Sequence, residues 1–314
     1  MKYGFGIDLG GTTVKLAFFD REGNILNKWE IPTRCENGGE NILPDIVNAV
    51  ESFLTQNRIS KADIIGIGIG VPGAVNGQGI VNECHNLGWG VFNIEQTLSQ
   101  LTGLPVKAGN DANAASLGEC WKGGGRGHSS LVMITLGTGV GGGIIVDGKI
   151  LCGARGSAGE IGHMVLNRDE PEYCTCGKRG CVEQYCSATG IVRQARQFLT
   201  SDSRPSVLRE TANLTCKAIF DAAAAGDPVA KDILEQVYTQ LAEFCANLAN
   251  SLDPEIILLG GGVSKAGQPL LDGICRHFQD YVFPAVSDMK FALATLGNDA
   301  GAVGAFKLAL DNFG

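Results

Sequence analysis

Gly4-Phe5-Gly6-Ile7-Asp8-Leu9-Gly10-Gly11-Thr12-Thr13-Val14-Lys15-Leu16-Ala17-Phe18-Phe19-Asp20 opens the chain, and a related stretch returns at Leu131-Val132-Met133-Ile134-Thr135-Leu136-Gly137-Thr138-Gly139-Val140-Gly141-Gly142-Gly143-Ile144-Ile145-Val146. Each reads as an apolar strand, a Gly/Thr turn, a second apolar strand and a polar turn. A Gly/Thr turn offers unhindered backbone N–H groups and hydroxyls, which suit phosphate oxygens. Two such turns from two half-molecules can grip one polyphosphate from both sides. The repeat therefore predicts an α/β, two-lobed nucleotide enzyme.

The rest of the chain is consistent with that class. Its 314 residues suffice for two domains. A 44% hydrophobic and 18% charged composition is that of a globular protein. The net charge of −8 argues against a nucleic-acid binder, which needs a basic face. Residues 127–146 carry no Asp, Glu, Lys or Arg, but six glycines in that run indicate a hairpin and no membrane span. No basic-then-apolar segment precedes the first strand, so a cytoplasmic location is expected. Most of the eleven cysteines are then reduced thiols. Glycine, 45 of 314, is about double ordinary usage, and the excess, set in short strings inside apolar runs, is read as ligand loops and tight strand turns.

Along the chain, a third strand is predicted at 29–33 and a helix at 41–56. A buried strand follows at 64–71, then a helix at 93–102. Val106–Gly109 is a short strand leading into Asn110-Asp111, which caps a helix from Ala112 to Trp121. The first lobe thus spans 1–122 and is closed by a C-terminal helix at 301–314. Gly123–Gly127 is the crossing. The larger lobe, 123–300, contains a zinc loop at 163–181, helices over 187–252, and strands at 256–259 and 291–294.

Candidate sites follow from residue chemistry. Asp8 stands at a strand end where a carboxylate can hold Mg²⁺. Gly10, Gly11, Thr12 and Thr13 can bond phosphates, with Lys15 beside them. The turn is not a Walker A loop, because no GxxxxGK[ST] leads into a helix. Gly260, Gly261 and Gly262 follow a buried strand and precede a predicted helix, where backbone can approach a base or ribose. Asp111 lies between a strand end and a helix start, where the helix dipole keeps a carboxylate ionised and able to accept a proton. Read alone, it could instead be only a cap. Asn110 could orient a substrate hydroxyl.

His163, Cys174, Cys176 and Cys181 form a tetrahedral zinc set with no open position, hence a structural site. Cys186 is left out of it, falling in a helix start beyond Glu183. Glu160 and Glu183 flank the set, and acceptors with spare lone pairs are what a polyhydroxy ligand needs. Asn86-Leu87-Gly88-Trp89 is a segment that could stack on or bond a pyranose.

Asp-Leu-Gly-Gly-Thr at 8–12, Gly-Asn-Asp-Ala-Asn at 109–113 and Leu-Gly-Thr-Gly-Val-Gly-Gly-Gly at 136–143 stand in one order with two further motifs. These are Gly-Ala-Arg-Gly-Ser-Ala-Gly-Glu-Ile-Gly-His at 153–163 and Cys-Thr-Cys-Gly-Lys-Arg-Gly-Cys-Val-Glu at 174–183. In these motifs the chain resembles the ROK family of repressors, open reading frames and sugar kinases, and most of all its bacterial glucokinases. The resemblance implies an actin/hexokinase-like (ribonuclease H-like) fold, ATP as donor, Mg²⁺, structural zinc, and a homodimer or homotetramer. It makes Asp111 the catalytic base and puts Asn110, Asp111, Glu160, His163 and Glu183 on the sugar. It lines the nucleotide with Gly10 to Thr13, Thr138, Gly139 and Gly260 to Gly262.

The expected reaction is phosphoryl transfer from ATP to O6 of glucose. The alternatives are another hexose (N-acetylmannosamine, fructose, allose or N-acetylglucosamine) or a sugar-sensing repressor. The repressor is disfavoured because the first hairpin starts at Tyr3, ahead of which a helix-turn-helix would have to stand, and because the charge is acidic.

Overall fold

The computed structural model describes residues 2–82 and 84–314. The chain forms two compact units. The first runs through Ser129 and takes in Gly143–Gly159 and Leu296–Gly314; the second comprises Ser130–Gly142 and Glu160–Thr295. The segment 143–159, placed in the larger lobe by the sequence reading, thus clusters with the first unit.

The first unit is built on a sheet of β1 (Tyr3–Leu9), β2 (Thr13–Asp20), β3 (Ile25–Pro32), β4 (Ile64–Val71) and β7 (Val106–Asn110), in the order β3-β2-β1-β4-β7. β1 and β2 are an antiparallel hairpin in which Asp8 faces Lys15 and Leu9 faces Val14. β4 runs parallel to both β1 and β7. A small antiparallel pair, β5 (Ile80–Val81) and β6 (Phe92–Asn93), lies in the connection between β4 and β7.

Alternation along the strands decides what covers this sheet. Phe5, Ile7 and Leu9 of β1 and Ile67, Ile69 and Val71 of β4 join one core. That core also takes Ile42, Ile46, Val50 and Leu54 of the helix Ile42–Asn57 and Ile94 and Leu98 of the helix Ile94–Thr102. The opposite positions are Gly4, Gly6 and Asp8, then Gly66, Gly68 and Gly70. Against them packs the C-terminal helix Ala300–Phe313, which also lies on the helix Asp111–Lys122. A Cβ on Gly6 or Gly68 would overlap the carbonyl oxygens of Ala302 or Ala305. The helices meet as closely, since a Cβ on Gly304 would strike the carbonyl of Ala114. These glycines are therefore neither ligand loops nor turns; they remove side chains so that a helix can seat on the sheet. Phe19 and Phe306 stack at 4.6 Å within the layer so formed.

In the second unit β8 (Leu131–Leu136), β11 (Ile256–Gly260) and β12 (Lys290–Leu293) are parallel. The head of β9 (Val140–Val146) neighbours β8. Beyond Gly142 the tail of β9 belongs to the first unit and pairs with β10 (Lys149–Ile150). The helices Ala188–Ser201, Cys216–Ala224 and Pro228–Leu252 supply much of the remaining core. Asp227 caps the longest by accepting from Val229 and Ala230 N–H. Among the described residues no helix is long and apolar enough to cross a membrane.

Glu119, on the helix Asp111–Lys122, is fully buried. Its Oε2 accepts from Gly124 N at 2.8 Å, and its Oε1 from Leu296 N at 2.7 Å. One carboxylate thus ties the segment after its own helix to the segment at which the chain finally returns to the first unit.

Candidate functional site

In the first unit the carboxyl ends of three adjacent strands bring the predicted residues together. The register sets Asp8 beside Gly70, and Gly70 and Val71 beside Gly109 and Asn110. Side chains at such strand ends face the crevice where ligands of α/β proteins bind. A Cβ on Gly70 would lie 3.3 Å from the Asp111 Cα, so the bare strand lets the helix start close in.

Asn110 is the cap of the helix Asp111–Lys122. Its Oδ1 accepts from Asn113 N at 3.1 Å, while its Nδ2 donates to the Gly73 carbonyl at 3.1 Å. Asp111 is the first helical residue and not a second cap; its Oδ1 accepts from Ala112 N at 2.8 Å. Capping and carboxylate therefore reside on different residues, which leaves Asp111 at the positive end of the helix dipole.

Asp8 lies 3.5 Å from the ammonium of Lys15. Burial raises the Asp8 carboxyl above its usual range, with Lys15 pulling it back. Gly301, at the start of the C-terminal helix, approaches so closely that a Cβ would stand 2.7 Å from the Asp8 Cγ.

The first turn has its carbonyls fastened and two of its amides open. The Gly10 carbonyl accepts from Thr33 Oγ1 at 2.7 Å, the Thr12 carbonyl from Thr33 N at 2.9 Å, and the Gly11 carbonyl from Cys35 Sγ at 3.4 Å. Among the described residues no group accepts from Gly11 N or Thr12 N, and both residues are exposed. The second turn repeats the pattern. Ala188 N donates to the Gly137 carbonyl and Thr189 Oγ1 to the Thr138 carbonyl, each at 2.8 Å, while Gly137 N donates to the Gly139 carbonyl at 2.9 Å. Thr138 N and Gly139 N have no acceptor among the described residues. A turn whose carbonyls are tied and whose N–H groups are free is an anion receptor. Thr33, Cys35 and Thr189 were not singled out from sequence, since each acts on a turn distant in the chain.

Gly260 ends β11, and a 3₁₀ turn, Val263–Ala266, stands between Gly262 and the expected helix, which starts only at Gln268. Gly261 has φ +83°, and its Cα lies so near Leu136 that no side chain would fit. A cavity of about 570 Å³ opens in this unit, lined by Thr138, Thr189, Arg193, Arg196 and Thr215 among others.

His163, Cys174, Cys176 and Cys181 present ligand atoms that all lie within 4.8 Å of one another. Cys176 and Cys181 Sγ are 3.6 Å apart, close to the ~3.8 Å that two sulfurs on one tetrahedral zinc require. His163 turns Nδ1 toward Cys174 Sγ at 3.7 Å and Nε2 toward Glu160 Oε2 at 4.0 Å. The Cys181 thiol is pushed up to about 12, chiefly by burial and then by its thiol neighbours. A bound dication would relieve that crowding, so these residues fit a metal ion. Cys186 is fully buried in the turn Glu183–Cys186 and outside the cluster.

One expectation is corrected. Leu87 and Trp89 are core residues: the Trp89 indole is buried, meets Phe92 edge-on and donates to the Gly39 carbonyl at 3.3 Å. Only Asn86 of that segment presents an exposed polar side chain. Glu183, expected beside the metal set, already accepts one bond on each oxygen and keeps a further lone pair on each. Its Oε1 accepts from Thr175 Oγ1 at 2.8 Å, and its Oε2 from Val140 N at 3.1 Å.

The ROK family profile matches residues 4–312. The chain belongs to the ROK family. Among ROK relatives, a glucokinase of Halalkalibacterium halodurans is 46% identical over 304 residues, 95% of this chain and 92% of that protein. A glucokinase of Thermotoga maritima is 36% identical over 98% of both chains. The crystal structure of a ROK family glucokinase from Streptomyces griseus, in complex with glucose and AMPPNP, superimposes with a TM-score of 0.74 at 34% identity, covering 98% of this chain and 99% of that one. The mixed α/β architecture is thus that of the ROK sugar kinases, within the actin/hexokinase-like group.

Proposed function

We propose that the protein is an ATP-dependent glucokinase that phosphorylates glucose at O6. The observation that carries the reading is the pair of amide-bearing turns, found in a chain 46% identical to a glucokinase. Gly10 to Thr13 and Thr138–Gly139 bond the phosphates, and Gly260 to Gly262 let backbone approach the base or ribose. Asp8 holds the Mg²⁺ that travels with ATP, in keeping with that ion's preference for one or two carboxylates plus phosphate. Lys15 balances the Asp8 charge.

Asn86, Asn110, Asp111, Glu160, His163 and Glu183 hold the sugar. Asn110 keeps its orientation through Gly73 and Asn113. Asp111 accepts the O6 proton as the hydroxyl attacks the γ-phosphorus in line. Open amides stabilise charge that spreads over the transferring phosphoryl group. Zinc at His163, Cys174, Cys176 and Cys181 is structural; it fixes the loop that carries the sugar contacts and supplies no activated water. None of the eleven cysteines is in a disulfide, in keeping with a reducing cytoplasm. The family likeness implies a homodimer or homotetramer, working in carbohydrate metabolism at the entry to glycolysis.

A coupled ADP-release assay across a hexose panel with ATP tests the reading. Glucose should give the highest kcat/KM. A higher value for N-acetylmannosamine, fructose, allose or N-acetylglucosamine would move the substrate and keep the kinase; no turnover of any sugar would remove the kinase.

A further inference from the structure

Glu183 belongs to two structures at once. It follows the last thiol of the metal cluster by two residues. Its Oε1 receives the hydroxyl of Thr175, the residue between Cys174 and Cys176, at 2.8 Å, and lies 3.6 Å from Cys174 Sγ. Its Oε2 receives the N–H of Val140 at 3.1 Å, where the second turn becomes β9. A Cβ on Gly139 would collide with that same oxygen, so the turn is shaped around the carboxylate. The next residues continue the bracket, through Ala188 N on the Gly137 carbonyl and Thr189 Oγ1 on the Thr138 carbonyl. All of these groups lie within the second unit.

We propose that Glu183 is a positioning residue that makes nucleotide affinity depend on metal occupancy. The inference rests on the nucleotide role given above to the second turn. Two ligand bonds hold the 174–176 backbone and so aim the Thr175 hydroxyl. That hydroxyl fixes one oxygen of Glu183, and a fixed carboxylate presents the other to Val140 N. The turn then keeps Thr138 N and Gly139 N pointed at phosphate before any nucleotide arrives, so less order has to be created on binding. Without the metal the 174–176 backbone is released and Glu183 loses its anchor. The turn must then be ordered by the nucleotide itself.

The test is AMPPNP titration by calorimetry on the zinc-loaded protein, on protein stripped by chelator, and on Thr175→Val and Thr175→Ser in both states. Stripping wild type should weaken AMPPNP about 3- to 10-fold. Thr175→Val should weaken it comparably with zinc content unchanged, and stripping that variant should add little. Thr175→Ser restores the hydroxyl and should restore wild-type affinity. Amide exchange at Val140 should quicken in Thr175→Val and in no other peptide of the sheet, which a general loss of folding would not produce. Unchanged AMPPNP affinity in metal-replete Thr175→Val, or equal effects of stripping on wild type and on that variant, would overturn the coupling. Glucose phosphorylation by loaded wild type is followed in parallel. Its absence, with no AMPPNP binding, overturns the kinase reading and the inference with it, and is thereby told apart from a kinase that lacks the coupling.

Discussion

The carboxylate of Glu119 accepts from the backbone N–H of Leu296 at 2.7 Å across 177 positions of sequence. The same carboxylate takes Gly124 N, so a single buried side chain satisfies half-buried donors on two segments far apart in the chain. Glu119→Ala leaves those donors without their acceptor, at up to roughly 1–3 kcal/mol each where water does not reach them. Urea unfolding should show about 2–5 kcal/mol of destabilisation. Glu119→Gln keeps one acceptor oxygen and should lose about half as much. A Glu119→Ala protein within 0.5 kcal/mol of wild type would mean that water replaces the clamp.

Asp111→Asn should bind glucose and AMPPNP as wild type does while kcat falls by about 10²–10⁴. The amide oxygen can still accept from Ala112 N, as Asp111 Oδ1 does, so the helix start survives and only proton acceptance is lost. Steady-state kinetics beside calorimetric binding separates the two. A near wild-type kcat would reduce Asp111 to a helix-terminal residue.

Metal analysis should find close to one zinc per chain in protein prepared without chelator, and close to none in Cys176→Ser. That variant should also bind glucose more weakly, because Glu160 faces His163 Nε2 and His163 faces the thiols. Zinc-free wild type with unaltered glucose affinity would separate the cluster from the sugar site.

Acid should destabilise the second unit through Glu170. This buried carboxylate is held to about 2, first by the paired hydrogen bonds from Arg193 at 2.8 and 3.0 Å, with Tyr185 adding a third. A carboxyl lowered in the folded state lends stability that is complete above its ordinary value near 4.5 and is lost as pH falls toward 2. The amount at stake is up to about 3 kcal/mol. Glu170→Gln should be less stable at pH 7 and lose less than wild type between pH 5 and 3. Equal acid sensitivity in thermal melts at each pH would contradict this.

Local patterns were legible where the cause is local. The Gly/Thr turns, the apolar run of β4, the helix start at Asn110 and the spacing of His163, Cys174, Cys176 and Cys181 are each set by neighbours in sequence. The structure has these elements within a residue or two of their expected ends. What sequence hid are partners far along the chain. Trp89 looked available for stacking because its partner, the Gly39 carbonyl, lies 50 residues earlier. The bond from Val140 N to Glu183 was hidden because the two lie 43 residues apart. The alternation Gly66, Gly68, Gly70 showed a buried strand but not what it makes room for, since the helix that needs the space begins at Ala300. A signal for Glu119 was present: it is the lone charge in Ala-Ala-Ser-Leu-Gly-Glu-Cys-Trp at 114–121, and a charge in such company calls for a buried partner.

The seating of Ala300–Phe313 on Gly6 and Gly68 has a consequence for biosynthesis. The two halves of that contact leave the ribosome about 230 residues apart, a delay of tens of seconds at ordinary translation rates. Throughout that interval the first sheet carries a bare stripe of glycine backbone with apolar neighbours and nothing to lie on it. A nascent chain in that condition is open to aggregation until the helix arrives. The first unit, although it is begun first, can be completed only after the second has emerged.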